Sequence, residues 1–84
     1  MTTRDDNSVK RDKIMSFVRK YWKSYKRSPS IREIGEAVNI ASTSGVVWHL
    51  RVLEDQEEIE LRTHNSVRSV IPKGMRVVFD ENII

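Results

Sequence analysis

The chain has 84 residues, a formal net charge of +3 and 38% hydrophobic residues, enough for one small domain with a modest core. It has no cysteine, which excludes disulfides and thiolate metal sites and is compatible with a reducing compartment. No apolar run approaches the roughly 18 residues of a membrane span, and the opening Met1-Thr2-Thr3-Arg4-Asp5-Asp6 lacks the apolar stretch of a secretory signal.

Residues 1–7 are polar and read as a flexible N-terminus. From Ser8 to Tyr25 the apolar residues Ile14, Phe17, Val18, Tyr21, Trp22 and Tyr25 recur at spacings of three and four, the signature of one face of an amphipathic helix. Asn7 or Ser8 is placed to cap it, and the stripe reads as core rather than as a base-stacking platform. The same segment is one-sidedly basic. Arg4, Lys10, Arg11, Lys13, Arg19, Lys20, Lys23, Lys26 and Arg27 stand against Asp5, Asp6 and Asp12. Such a run is either a footprint for phosphate or a solvated helix face.

Lys26-Arg27-Ser28-Pro29 breaks this helix. Ser30 and Glu33 then have capping-box spacing, with Ile31, Ile34, Ala37 and Val38 as the expected buried side of a short second helix. Asn39 follows it and tolerates the left-handed conformation that ends helices. Ser42 is the expected cap of a third helix over 42–55. At about 100° per residue, Val46, Leu50 and Leu53 share its core face, whereas Ser44, Trp48 and Arg51 point away, with Val47 on the flank. Two short capped helices joined by a tight turn are the layout of a helix-turn-helix, whose second helix enters the DNA major groove.

Ile59-Glu60-Leu61-Arg62 and Val67-Arg68-Ser69-Val70-Ile71 alternate around a polar turn, Thr63-His64-Asn65-Ser66, and read as a β-hairpin. The expected fold is therefore mainly α with a small β-hairpin, a three-helix winged helix-turn-helix over residues 8–72. Residues 73–84 form a C-terminal extension, a strand or a partner-docking segment, in which Arg76-Val77-Val78-Phe79, Ile83 and Ile84 supply apolar surface.

Enzymatic constellations are lacking. His49 and His64 have no metal-ligand spacing. His49 falls near the core boundary of the third helix and reads as a hydrogen-bonded structural histidine, and His64 as a turn residue. Ser42 and Ser44 have no nearby base, and Gly35, Gly45 and Gly74 cannot build a phosphate-cradling loop. No catalytic residue, metal or cofactor is expected.

The string Ser28-Pro29-Ser30-Ile31-Arg32-Glu33-Ile34-Gly35-Glu36-Ala37-Val38, then Ala41-Ser42-Thr43-Ser44, His49-Leu50 and Leu53-Glu54, resembles the N-terminal DNA-binding domain of the LexA repressor family over about residues 8–71. The resemblance implies a winged domain whose third helix reads operator bases and whose wing lies near the minor groove. Carried over by position, base reading falls on Ser42, Ser44, Gly45, Val47 and Trp48, with Gly45 contributing backbone approach. Arg32, Arg51 and the wing residues Thr63, His64, Asn65 and Arg68 are the expected phosphate contacts. Family members often carry polar residues where Val47 and Trp48 stand, so the operator is expected to differ. Glu57 replaces the glycine usual before the hairpin, which predicts altered geometry, or a strained or rebuilt connection. The wing tip has no Lys or Arg. No counterpart of the family's self-cleaving, dimerising C-terminal domain follows residue 71, which suggests a truncated piece or a small stand-alone regulator.

These readings converge on a sequence-specific regulator of transcription, a repressor that binds a double-stranded DNA operator. It is expected to act as a homodimer on paired half-sites in the cytoplasm of a prokaryote or in a phage-encoded setting, nucleoid-associated when bound. The alternative is a winged-helix protein-interaction module that modulates another repressor or polymerase, docking through Trp48, beside Val47 and Val52, or through the C-terminal segment. A third reading is nonspecific nucleic-acid binding by the basic first helix.

Overall fold

The computed structural model describes residues 6–64 and 67–75. In chain order these form α1 (Asp6–Tyr25), α2 (Ile31–Val38), α3 (Thr43–Asp55), β1 (Ile59–His64) and β2 (Val67–Pro72). Among the described residues no helix is long and apolar enough to cross a membrane.

Helix α1 follows the apolar stripe. Ile14, Val18, Tyr21 and Trp22 are buried on one face, as a three-and-four repeat requires. It begins at Asp6, so Asn7 and Ser8 lie inside its first turn and do not cap it as expected. Tyr25 also departs from expectation: it shares the apolar face but is 62% exposed. Trp22, in the same last turn, is still in the core, whereas Tyr25 packs on the Tyr21 ring, centroids 4.5 Å apart, with the Arg27 guanidinium over it.

The α2 start is the capping box read from the sequence. Ser30 Oγ accepts the Glu33 N–H at 3.0 Å, and Glu33 Oε1 accepts the Ser30 N–H at 2.8 Å. Asn39 ends the helix at φ 62°, ψ 48°, the left-handed cap. Its buried side, however, is Ile34, Gly35 and Val38, with Ile31 half-buried, and Ala37 is exposed. With Ile34 at zero and about 100° per residue, Ile31, Val38 and Gly35 occupy one arc and Ala37 lies about 110° from its centre. Gly35 takes the place expected of Ala37 because α3 passes there. A Cβ on Gly35 would lie 2.9 Å from the Ile40 carbonyl oxygen and 3.2 Å from Val46 Cγ2.

Helix α3 is capped by Ser42, whose Oγ accepts the Gly45 N–H at 3.4 Å, and it buries Val46, His49, Leu50 and Leu53. At its carboxyl end the Glu58 N–H reaches Leu53 O and the Glu57 N–H reaches Glu54 O, both at 2.9 Å. Those two bonds are a Schellman closure, with Glu57 in the left-handed position at φ 60°. Of the outcomes expected for a glutamate here, this is the strained connection: Glu57 itself takes the left-handed conformation that favours glycine. The cost is carried as backbone strain, about 1–2 kcal/mol for a residue with a Cβ.

The hairpin is antiparallel, with Ile59 opposite Pro72, Leu61 opposite Val70, Thr63 opposite Arg68 and His64 opposite Val67. The strands run further than the alternating pattern indicated, so Thr63 and His64 are paired strand residues rather than turn residues. Asn65 and Ser66 lie outside the described residues, as do residues 1–5 and 76–84. The bond from Lys73 N to Glu58 O sets the alternation of the ladder, which leaves Val70's own N–H and C=O facing away from β1. Both are satisfied from elsewhere: the Trp22 indole donates to Val70 O at 2.7 Å, and Val70 N donates to Ser28 Oγ at 2.9 Å. These two bonds close the free edge of β2 and fix the wing to α1. Ile14, Val18, Ile34, Val46, Leu50, Ile59 and Val70 meet in the shared core, against which Met75 also packs.

Candidate nucleic-acid interface

The outward face of α3 is set by its inward one. Because Val46, Leu50 and Leu53 are buried, the helical period turns Ser44, Trp48 and Arg51 to solvent and leaves Val47 half-buried. Together with Thr43 they line a shallow concavity of about 360 Å³. Trp48 is 50% exposed and constrained from two sides. The His49 imidazole meets the indole edge-on, with ring centroids 4.8 Å apart at 70°, and the Arg11 guanidinium lies 5.9 Å above the ring centroid.

His49 is only 5% exposed, and its Nδ1 is buried without a hydrogen-bond partner, which corrects the expected hydrogen-bonded histidine. Burial, reinforced by the nearby Arg11 and Lys10 charges, pushes its pKa below the usual imidazole range, which favours the neutral ring.

The other sequence-predicted residues fall into three groups. Ser42 and Gly45 are joined by the cap bond. A Cβ on Gly45 would come within 3.1 Å of Ile40 Cγ2, so this glycine lets α3 start close against the turn. Arg32 is exposed on the first turn of α2 and lines, with Glu36, Asn39 and Thr43, a 490 Å³ cleft between α2 and α3. Arg68 is exposed on β2 and, with Arg27, Ser28, Ser30 and Ser69, lines a 620 Å³ cleft between the α1–α2 connection and the wing. Thr63 is exposed opposite Arg68. The backbone of His64 is in β1, and Asn65 lies outside the described residues. The fold thus groups Ser44, Val47, Trp48 and Arg51 on one face and keeps Arg32 and Arg68 on separate flanks.

Several contacts that hold this arrangement had no signal in the sequence. Tyr21 donates to Glu33 Oε2 at 2.9 Å, which ties α1 to the capping box. The Ser30 backbone N–H, and then the Tyr21 hydroxyl, hold the Glu33 carboxyl below the usual carboxylate range. Arg27 stacks over Tyr21 and Tyr25, 5.2 and 5.9 Å from their centroids. Trp22 and Ser28 fasten the wing. Each of these contacts joins residues distant in sequence or past a helix end, where periodicity gives no guide. Among the described residues no group of His, Cys, Asp and Glu is arranged to hold a metal ion.

Comparison with known proteins gives the same picture. The family model for the LexA DNA binding domain matches residues 7–68. The chain is 45% identical over 49 residues to the LexA repressor of Geobacillus sp. (strain WCH70), a match covering 58% of this chain and 24% of the relative. It is 37% identical over 70 residues to LexA repressor 2 of Nocardia farcinica (strain IFM 10152), covering 83% and 28% respectively. It is 35% identical over 60 residues to the LexA repressor of Roseiflexus sp. (strain RS-1), covering 71% and 28%. The chain spans about a quarter of the length of the curated relatives it matches.

Proposed function

The chain belongs to the LexA DNA-binding domain family, and from that premise we propose that it is a sequence-specific double-stranded-DNA-binding regulator of transcription, acting as a repressor. The observation that carries this reading is the outward face of α3, where Ser44, Val47, Trp48 and Arg51 stand clear of the core beside a basic α1. Helix α3 enters the major groove, where serine hydroxyls bond base edges and Val47 and Trp48 contact thymine methyl groups. Ser42 and Gly45 lie at the helix's leading end. Arg51, Arg32 on α2, and Thr63, His64, Asn65 and Arg68 of the wing meet phosphate and orient the domain, with the wing beside the minor groove.

Repression is steric: the occupied operator excludes polymerase. One domain buries limited surface, so tight binding requires a homodimer on paired half-sites. The place of action is the cytoplasm, on the nucleoid.

Selection of duplexes from a random pool, with the mass of the complex measured in the same buffer, tests this proposal. Enriched half-sites spaced by about one helical turn are the expected result. Equal affinity for enriched and random DNA at about 0.15 M salt would overturn it. The half-exposed Trp48 also suits a protein interface. If Ser44→Ala with Trp48→Ala left DNA binding intact but abolished capture of a protein partner, that second reading would replace the first.

A further inference from the structure

Arg11 in the amino half of α1 and Trp48 on the outward face of α3 are separated by more than thirty residues in sequence, yet they meet at one ring. Arg11 lies over the Trp48 ring, and the His49 ring meets it in a T-shaped contact. Lys10, next to Arg11, also acts electrostatically on His49. A helix with its side chains is about 10–12 Å across and the major groove is about 12 Å wide. A helix seated there fills the groove. A guanidinium held to one side of that helix therefore meets the groove wall, which is phosphate.

We propose that Arg11 is a further DNA-binding residue, donating to a backbone phosphate at the groove edge while its guanidinium, held over the indole, positions Trp48 for base contact. Arginine can do both at once. The indole face attracts the cation, an interaction that uses none of the five guanidinium N–H donors. The ligand class is the phosphodiester of double-stranded DNA, and the inference rests on the reading of α3 as the groove-entering helix.

Two separable effects follow. The phosphate contact strengthens binding to every duplex and contributes about one unit to the salt slope. The hold on Trp48 contributes only to preference among sequences. The test uses the whole chain and two duplexes, one selected from a random pool by the wild-type protein and its scrambled counterpart. Fluorescence anisotropy at several salt concentrations is measured for wild type, Arg11→Ala, Arg11→Lys, Trp48→Ala, the Arg11→Ala/Trp48→Ala pair and Lys23→Ala at the far end of α1.

Arg11→Ala is expected to weaken binding to the selected duplex about tenfold and to lower the salt slope by about one. Its effect should shrink to about threefold once Trp48 is already alanine, the residue of a coupled pair. Arg11→Lys should restore the slope but not the ratio of selected to scrambled binding, because a point charge does not stack as a plane does. Arg11→Gln supplies the same comparison if Arg11→Ala lowers the melting temperature. Wild-type affinity and slope in Arg11→Ala would overturn the inference. So would full additivity with Trp48→Ala, or an equal loss of slope in Lys23→Ala. If Ser44→Ala and Trp48→Ala leave the preference for the selected duplex unchanged, the reading of α3 fails and this inference with it. If they abolish that preference while Arg11→Ala behaves as wild type, only the role of Arg11 fails.

Discussion

The two ends of α3 are chemically opposite. From Ser44 to Arg51 the helix turns Ser44, Trp48 and Arg51 to solvent beside half-buried Val47, with the Arg11 guanidinium over Trp48. Around the carboxyl end, Glu54, Asp55, Glu57, Glu58 and Glu60 are all exposed, and Glu54, Glu57 and Glu60 border a 430 Å³ cleft under the hairpin base. A polyanion is attracted to the first end and repelled by the second. The helix is thus polarised by charge as well as by shape, and under the proposed reading it enters a groove with its amino half leading. The backbone shows the same division. The amino end is unstrained and capped by Ser42, whereas the carboxyl end holds Glu57 in a left-handed turn.

Four measurements break or sharpen this contrast. The largest effect belongs to the amino end. Trp48→Ala should weaken binding to the selected duplex by about thirtyfold, the ~2 kcal/mol of one well-placed recognition contact. Glu54→Ala and Glu60→Ala at the other end should leave binding unchanged or slightly tighter at low salt. Equal losses from both ends in a gel-shift or anisotropy titration would dissolve the polarity.

Gly35→Ala should destabilise the domain by about 1–3 kcal/mol in urea melts, the usual range for overpacking. The added methyl meets the Ile40 carbonyl, which is backbone and cannot rotate away. This substitution would move the whole of α3 relative to α2 and so impair DNA binding without touching either end.

Glu57→Gly acts in the opposite direction. Relief of the left-handed glutamate should raise stability by about 1 kcal/mol, a rise in melting temperature of about 4–8 °C for a domain of this size. DNA affinity should stay constant, because the carboxyl end lies away from the proposed contact. A lower melting temperature would mean that Glu57 makes a compensating contact.

The smallest effect is on pH dependence. His49 has a lowered folded pKa, caused first by burial and then by the charges of Arg11 and Lys10. Its stabilising contribution is complete above the unfolded value of about 6.5 and declines as pH falls below it, because the unfolded chain binds the proton more readily. Glu33, also lowered, loses its contribution in a separate step as pH drops below about 4.3 and through its folded value. The urea midpoint should therefore fall between about pH 7.5 and 5.5 in wild type and stay flatter in His49→Leu. An equal fall in both proteins would remove His49 as the cause.

Much of the fold was legible in the residues themselves. Ser30 with Glu33, Asn39 and Ser42 marked helix ends that the structure places where they were expected, and the core and solvent faces of α3 followed from its period. The errors came where local pattern and tertiary surroundings part company. Tyr25 carries the stripe past the end of the core. Ala37 has the composition of a buried residue but the wrong angle, and Thr63 and His64 look like turn residues yet pair across the hairpin. For the candidate interface, the exposed face of α3 could be read in advance, but the residues that brace it could not.

By itself, then, the sequence determined both ends of α2, the start of α3, the two faces of α3 and the family pattern, because caps and helical periods are written within four or so residues of each other. Only the tertiary structure decided that Arg11 lies over Trp48, that Trp22 and Ser28 fasten the wing through Val70, that Gly35 admits α3, and that His49 is sealed without a partner for Nδ1. Those facts depend on how helices cross and how closely backbones approach. Crossing and approach are settled by the packing of the whole core, which no single segment of this chain encodes.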